Sequence, residues 1–160
     1  MRFKQLILLA GLANLDTPST AQMLSARDPQ GIAAFMREKG YQAELQMAAE
    51  GADGPQIKSG AGGTQFTIFF RNCTAGANCT TISFFTGFTD VDGVPLERIN
   101  SWNAQNRFAR AFIDSDQDPV IILDVDLDHQ GIARENFGEY LAIWSDLAPK
   151  YLNYLRASAE

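Results

Sequence analysis

The sequence is poor in the residues that most catalytic chemistry needs. It has one histidine, His129, and two cysteines, Cys73 and Cys79, in 160 residues. That set does not complete a tetrahedral zinc shell. Lysines and arginines cluster nowhere, and the formal charge is −6. Both facts argue against binding nucleic acid through its phosphates, or an anionic membrane surface. The longest N-terminal apolar run, Leu6 to Ala13, falls well short of the roughly 20 residues that a spanning helix requires. The "GAGGT" segment lacks the lysine and the helix of a phosphate loop, and opens a strand. The serines of "TTISFF" and "SGAGG" stand in no nucleophile elbow. There is no internal repeat, no linker and no low-complexity tract. No cofactor is implied, and the chain does not read as an enzyme.

Apolar residues make up 46% of the chain, charged residues 20%, and phenylalanines number 11. This composition suits one packed domain with an aromatic core. The first 21 residues read as a secretory signal. Arg2 and Lys4 precede the apolar run, and Ser19 and Ala21 are the small residues a signal peptidase reads. The polar "NLDTP" before the cleavage site departs from that pattern. Cleavage after Ala21 leaves residues 22–160, beginning at Gln22, and moves the formal charge to −7 through loss of Arg2, Lys4 and Asp16. An exported chain enters an oxidising compartment, where Cys73 and Cys79 join across "TAGAN". The expected location is the periplasm of a Gram-negative bacterium, or the medium, with no membrane association after cleavage.

Period and punctuation then order the elements. Asp28 and Pro29 open a helix to Lys39, with Ile32, Phe35 and Met36 at helical spacing and Gly40 at its end. "YQAELQM", "QIKSG", "TQFTIFFRN" and "TTISFFTGF" are strand candidates, the last two joined by the cysteine loop. Pro95 to Asn106 reads as a second helix. "RFARAFID" and "PVIILDVDL" form a further hairpin, and a long amphipathic helix follows, with a kink or break expected at Pro149. The class is α+β: a single domain with a twisted antiparallel sheet, helices packed on one face, and the order α-β-β-β-β-α-β-β-α.

Two acidic rows invite a functional reading. "DSDQDP" places Asp114, Asp116 and Asp118 at alternate positions, and "DVDLD" repeats the spacing with Asp124, Asp126 and Asp128. An EF-hand starting at Asp114 needs Gly sixth and Glu twelfth; Pro119 and Val125 stand there. The first row therefore reads as a hairpin tip, with a weak calcium site as the alternative. On the second strand, odd residues from Ile121 to Leu127 face the core and Asp124, Asp126 and Asp128 share the other face. Matching parity sets Arg110 opposite or diagonal to Asp124 as a cross-strand ion pair. Trp102 and Trp144 lie on helical faces, where core packing outweighs ligand stacking. Asn100, Asn103 and Asn106 make a polar edge, either solvated or spent on strand edges. Asp128 beside His129 could form an acid–base pair, but no nucleophile accompanies it.

"RNCTAGANCTTISFFTGF", "RINSWNAQNRFARAFID", "DPVIILDVDLDHQGI" and "NFGEYLAIW" closely resemble, in order and spacing, the YbjN-like family of bacterial sensory transduction regulators. The resemblance spans about residues 28 to 151. The paired cysteines and the "IN-x-WN" segment are similar to the family's exported branch. It implies a fold like the type III secretion chaperones, a curved antiparallel sheet with helices that often dimerises. It brings no catalytic residues. Gln117 stands at a turn position where relatives tend to have glycine. The expected role is thus a non-catalytic periplasmic module that binds a protein or peptide, with homodimerisation as one form of partnership. Asp124, Asp126, Asp128, Arg110, Trp102 and Asn103 are its candidate binding residues. A divalent-cation-responsive protein using the acidic hairpin is the alternative.

Overall fold

Alternate residues of the central strands are apolar and buried, and this period of two sets the architecture. The structure, a computed structural model, describes residues 22–49, 51 and 53–157. The signal segment expected over residues 1–21 lies outside them. Six strands form one antiparallel sheet: β2 (Glu44–Gln46), β3 (Gln56–Ala61), β4 (Thr64–Arg71), β5 (Thr81–Gly87), β6 (Arg110–Ile113) and β7 (Pro119–Asp126). Their spatial order is β2-β3-β4-β5-β7-β6. Three helices accompany it: α1 (Pro29–Glu38), α2 (Leu96–Gln105) and α3 (Arg134–Arg156). The expected α+β class holds among the described residues, with one addition. Two-residue strands β1 (Met23–Leu24) and β8 (Ile132–Ala133) pair in a small separate sheet. Neither is long enough to show a period.

The registers place Ile57, Ile68, Phe84 and Leu123 side by side across four strands. Helix α3 lays its apolar stripe on this row. Trp144 lies 5.6 Å from the Phe84 ring and 6.0 Å from Phe66, and Phe137 lies 6.2 Å from Phe84. Burying such side chains stabilises the fold by about 1.5–3 kcal/mol each. Helix α1 joins through Phe35, whose ring meets Phe137 edge-on at 5.7 Å. Asp28 caps α1 by accepting the Gly31 N–H at 2.9 Å, as its sequence position implies.

Helix α2 sits beside β6 and against the end of α3, with Trp102 4.9 Å from Tyr151 and 5.3 Å from Tyr154. Pro95 is its N-cap residue, so the helix starts one residue later than expected.

Helix α3 runs through Pro149 without a break. Proline there removes one backbone hydrogen bond at a cost of about 3 kcal/mol. Leu147, Ala148, Tyr151 and Leu155, all buried around it, offset that cost. The β3–β4 turn fits against this point. Gly62 has φ +57°, and a Cβ on it would lie 2.7 Å from Pro149 Cγ.

The expected strand over "YQAELQM" shrinks to Glu44–Gln46, and Met47 turns into solvent at 58% exposure. Cys73 and Cys79 are joined, with sulfurs 2.07 Å apart, across the β4–β5 connection. Inside that loop Ala75 and Gly76 both have positive φ and close a tight turn, bridged at Thr74 and Ala77.

Candidate functional site

Residues opposite one another in an antiparallel pair share a face. Three rows can therefore be read across the side of the sheet turned away from α3. Lys58, Thr67, Phe85, Ile122 and Arg110 form one. Gln46, Gln56, Phe69, Ser83 and Asp124 form the next, and Arg71, Thr81 and Asp126 the third. On the other flank Val120 stands between Gly87 and Phe112.

The apolar members run diagonally: Phe69, Phe85, Ile122, Val120 and Phe112. Phe69 and Phe85 meet edge-on at 5.5 Å, and the Arg71 guanidinium lies 4.6 Å from the Phe69 ring centre. Phe69, Phe85 and Phe112 stay partly exposed, while Val120 and Ile122 beneath them are buried. Two depressions notch this face. One, of ≈ 390 Å³, lies along Lys58, Gln65, Thr67 and Phe85. The other, of ≈ 360 Å³, lies between Phe69, Arg71, Gln56 and the exposed Met47.

Charge frames the stripe. Arg110 pairs with Asp124 at 3.6 Å across the β6–β7 diagonal, the ion pair expected from parity. The buried Ser83 hydroxyl donates to the same carboxylate. In the third row Arg71 and Asp126 stand on either side of Thr81, opposite in sign and equally far from β5.

A family model matches residues 28–157, that of YbjN, described as "Putative bacterial sensory transduction regulator". The chain belongs to the YbjN family. Among curated proteins none matches it. The match takes in every described helix and the whole six-stranded sheet of this YbjN-family chain, and so the sheet face that no described helix covers.

The family assignment supplies no catalytic residues, and the positions singled out from the sequence fall into three groups. Arg110, Asp124 and Asp126 share the uncovered face. Asp128 departs from the expected carboxylate row because β7 ends at Asp126. Its carboxylate accepts from Arg27 at 3.0 Å and from the His129 backbone N–H at 2.7 Å, tying the end of β7 to the entry of α1. These partners, the His129 N–H first, hold its pKa below the usual carboxylate range. The hydrogen bond between Asp128 and His129 comes from the His129 backbone and not from its ring, whose charge still favours the Asp128 carboxylate.

Trp102 is buried, contrary to its candidacy as a binding residue, and Asn103, though exposed, spends its amide on the backbone of β6. Trp102 is buried in the aromatic cluster at the end of α3. Asn103 accepts the Ala111 N–H at 2.8 Å and donates to the Ala111 carbonyl at 3.0 Å. Its amide thus acts as a strand partner for the outer edge of β6, the second of the two roles read for the asparagine row. Asn106 bonds the Trp102 carbonyl and accepts from Lys150, and Asn100 is exposed.

The acidic tip folds as turn chemistry. Asp114 Oδ1 accepts the N–H groups of Asp116 at 3.0 Å and Asp118 at 2.9 Å. Gln117 takes φ +68°, the left-handed region that glycine occupies most easily. Partial desolvation and the neighbouring charges of Asp114, Asp116 and Asp92 raise the Asp118 pKa. Among the described residues no three Asp, Glu, His or Cys side chains are grouped to hold a metal ion.

Sequence reading missed Phe69, Phe85 and Phe112 as surface residues. The signal was present: β4 and β5 carry aromatics at both parities, and only one parity can face α3.

Proposed function

We propose that this YbjN-family chain is an exported, non-catalytic regulatory module that works by protein–protein contact, and that its uncovered sheet face is the contact surface. The observation that carries this reading is the diagonal of Phe69, Phe85 and Phe112, held in register by the sheet and left partly open to solvent above the buried Ile122. A patch of apolar residues rimmed by charge is how association sites present themselves on small domains. Its occupant is a second copy of the chain. The third row is self-complementary: a two-fold axis along β5 sets Arg71 of one copy against Asp126 of the other, with the Phe85 rings at the centre. The joined cysteines support export, because such bonds persist in oxidising compartments. No described helix is long and apolar enough to cross a membrane.

Light scattering over a dilution series tests the contact. The expected result is a dimer, and a monomer for Phe85→Glu with an unchanged circular dichroism spectrum. A wild-type chain that stays monomeric across the micromolar range overturns the reading.

A further inference from the structure

We propose that Gln22 is a modification site: once it heads the mature chain, its α-amine closes on its own side-chain amide to give a pyroglutamyl terminus. The proposal rests on the export reading, which makes Gln22 the first residue after cleavage.

The structure leaves Gln22 exposed and uses the one backbone group that the reaction spares. The Gln22 carbonyl accepts the Arg134 N–H at 3.1 Å, at the first residue of α3. Ala133, the N-cap residue of that helix, has no side chain able to cap it. Gln22 is exposed, and no hydrogen bond among the described residues uses its side-chain amide. The backbone from Met23 onward is pinned by the pairing of Met23 with Ala133 and Leu24 with Ile132. The Leu24 carbonyl lies so close to Gly131 that a Cβ there would sit 2.0 Å from it. The terminus is therefore held in place while its amine and amide can still meet.

Charge favours the step. A free terminus is an ammonium group, with an ordinary pKa of about 7.7–8.0. Here it would belong to the residue whose carbonyl accepts the Arg134 N–H, at the first residue of α3. The first turn of a helix carries partial positive charge. That partial charge favours the neutral amine, which is the nucleophile, over the ammonium. The amine nitrogen attacks the side-chain amide carbon, the new N–C bond closes a five-membered lactam, and the old C–N bond breaks. The leaving nitrogen takes up a proton and departs as ammonia. No oxidant, metal or second substrate is required. The product is neutral and keeps the carbonyl that α3 uses.

The consequence is protection. An aminopeptidase that removed Gln22, Met23 and Leu24 would strip both the cap of α3 and the partner of β8. A lactam terminus offers it no amine.

The full chain is expressed in a Gram-negative host, recovered from the periplasmic fraction, and digested with trypsin. The N-terminal peptide, residues 22–27, is then weighed. The expected mass is lower than that of the unmodified peptide by one ammonia, and the protein resists an aminopeptidase that degrades a Gln22→Ser variant. A peptide that begins at Gln22 and keeps its ammonia after prolonged warming overturns the lactam and leaves export standing. A terminus cut at another residue overturns the lactam alone, and an uncut chain beginning at Met1 overturns export as well.

Discussion

Phe84 and Phe85 are neighbours in the chain and have opposite surroundings. Phe84 is fully buried, with Phe66, Phe137 and Trp144 around its ring. Phe85 faces the other way, touches Phe69, and stays partly exposed. The side chains are identical, so the difference comes from what covers each face. Three helices supply enough apolar surface to hide one side of a six-stranded sheet. The second side keeps its aromatics, and among the described residues they are met by one another and by the guanidinium groups of Arg71 and Arg110, with no helix over them. Aromatics on the covered face account for stability, whereas aromatics at the same density on the open face call for another partner.

The largest expected effect follows directly. Phe84→Ala should destabilise the monomer by about 3–5 kcal/mol in urea unfolding, the range for emptying an aromatic core site. Phe85→Ala, measured below the association range, should cost about 1 kcal/mol or less, since little burial is lost. Equal costs would mean that the second face is as closed as the first, and the contact surface proposed above would be gone.

Much of this contrast could be read before any coordinates. Alternation along β7 placed Ile121, Leu123, Val125 and Leu127 inward and Asp124 and Asp126 outward, because carboxylates mark the solvent parity without ambiguity. The Arg110–Asp124 pair followed from parity alone. The open aromatics were obscured where the period is blurred: "TQFTIFF" and "ISFF" are apolar at both parities, so composition signals a strand but not its inward side. The role of Asn103 was one of two options. Choosing between them requires knowing that β6 is the sheet edge, a long-range fact that the helix spacing does not carry. The pairing of β1 with β8 is non-local as well, and rests on two residues from each strand.

Asn103 sharpens the comparison from the side of the sheet. Its amide satisfies both backbone groups of Ala111 on the outer edge of β6, so that edge is closed while the adjacent face is open. Asn103→Ala takes the side-chain partner from the part-buried N–H and C=O of Ala111, at an expected cost of about 1 kcal/mol. Asn103→Asp restores the acceptor but not the donor, and should recover only part of that loss. If Asn103→Ala unfolds at the same urea concentration as the wild type, the edge is not held by this side chain. The second copy could then add at β6 by strand pairing instead of at the sheet face.

The smallest effects belong to two partly exposed carboxylates at opposite ends of β7, and they differ in sign. Asp128 has its pKa lowered, chiefly by the His129 N–H and further by the charges of His129 and Arg27. A lowered native pKa means stability that is present above the unfolded value of about 3.9 and lost as the pH falls through the native value. Asp128→Asn should therefore be less stable than the wild type at neutral pH, and the gap should close in acid. Asp118 has its pKa raised, first by desolvation and then by Asp114, Asp116 and Asp92. Its contribution is present below the unfolded value and lost as the pH rises through the native one. Asp118→Asn should be more stable than the wild type at neutral pH, again converging in acid. Thermal midpoints measured from pH 3 to 7 for the two variants should thus separate on opposite sides of the wild-type curve. Two curves on the same side would mean that the tip and the far end of β7 share one electrostatic environment, and that Arg27 does not hold Asp128 in solution.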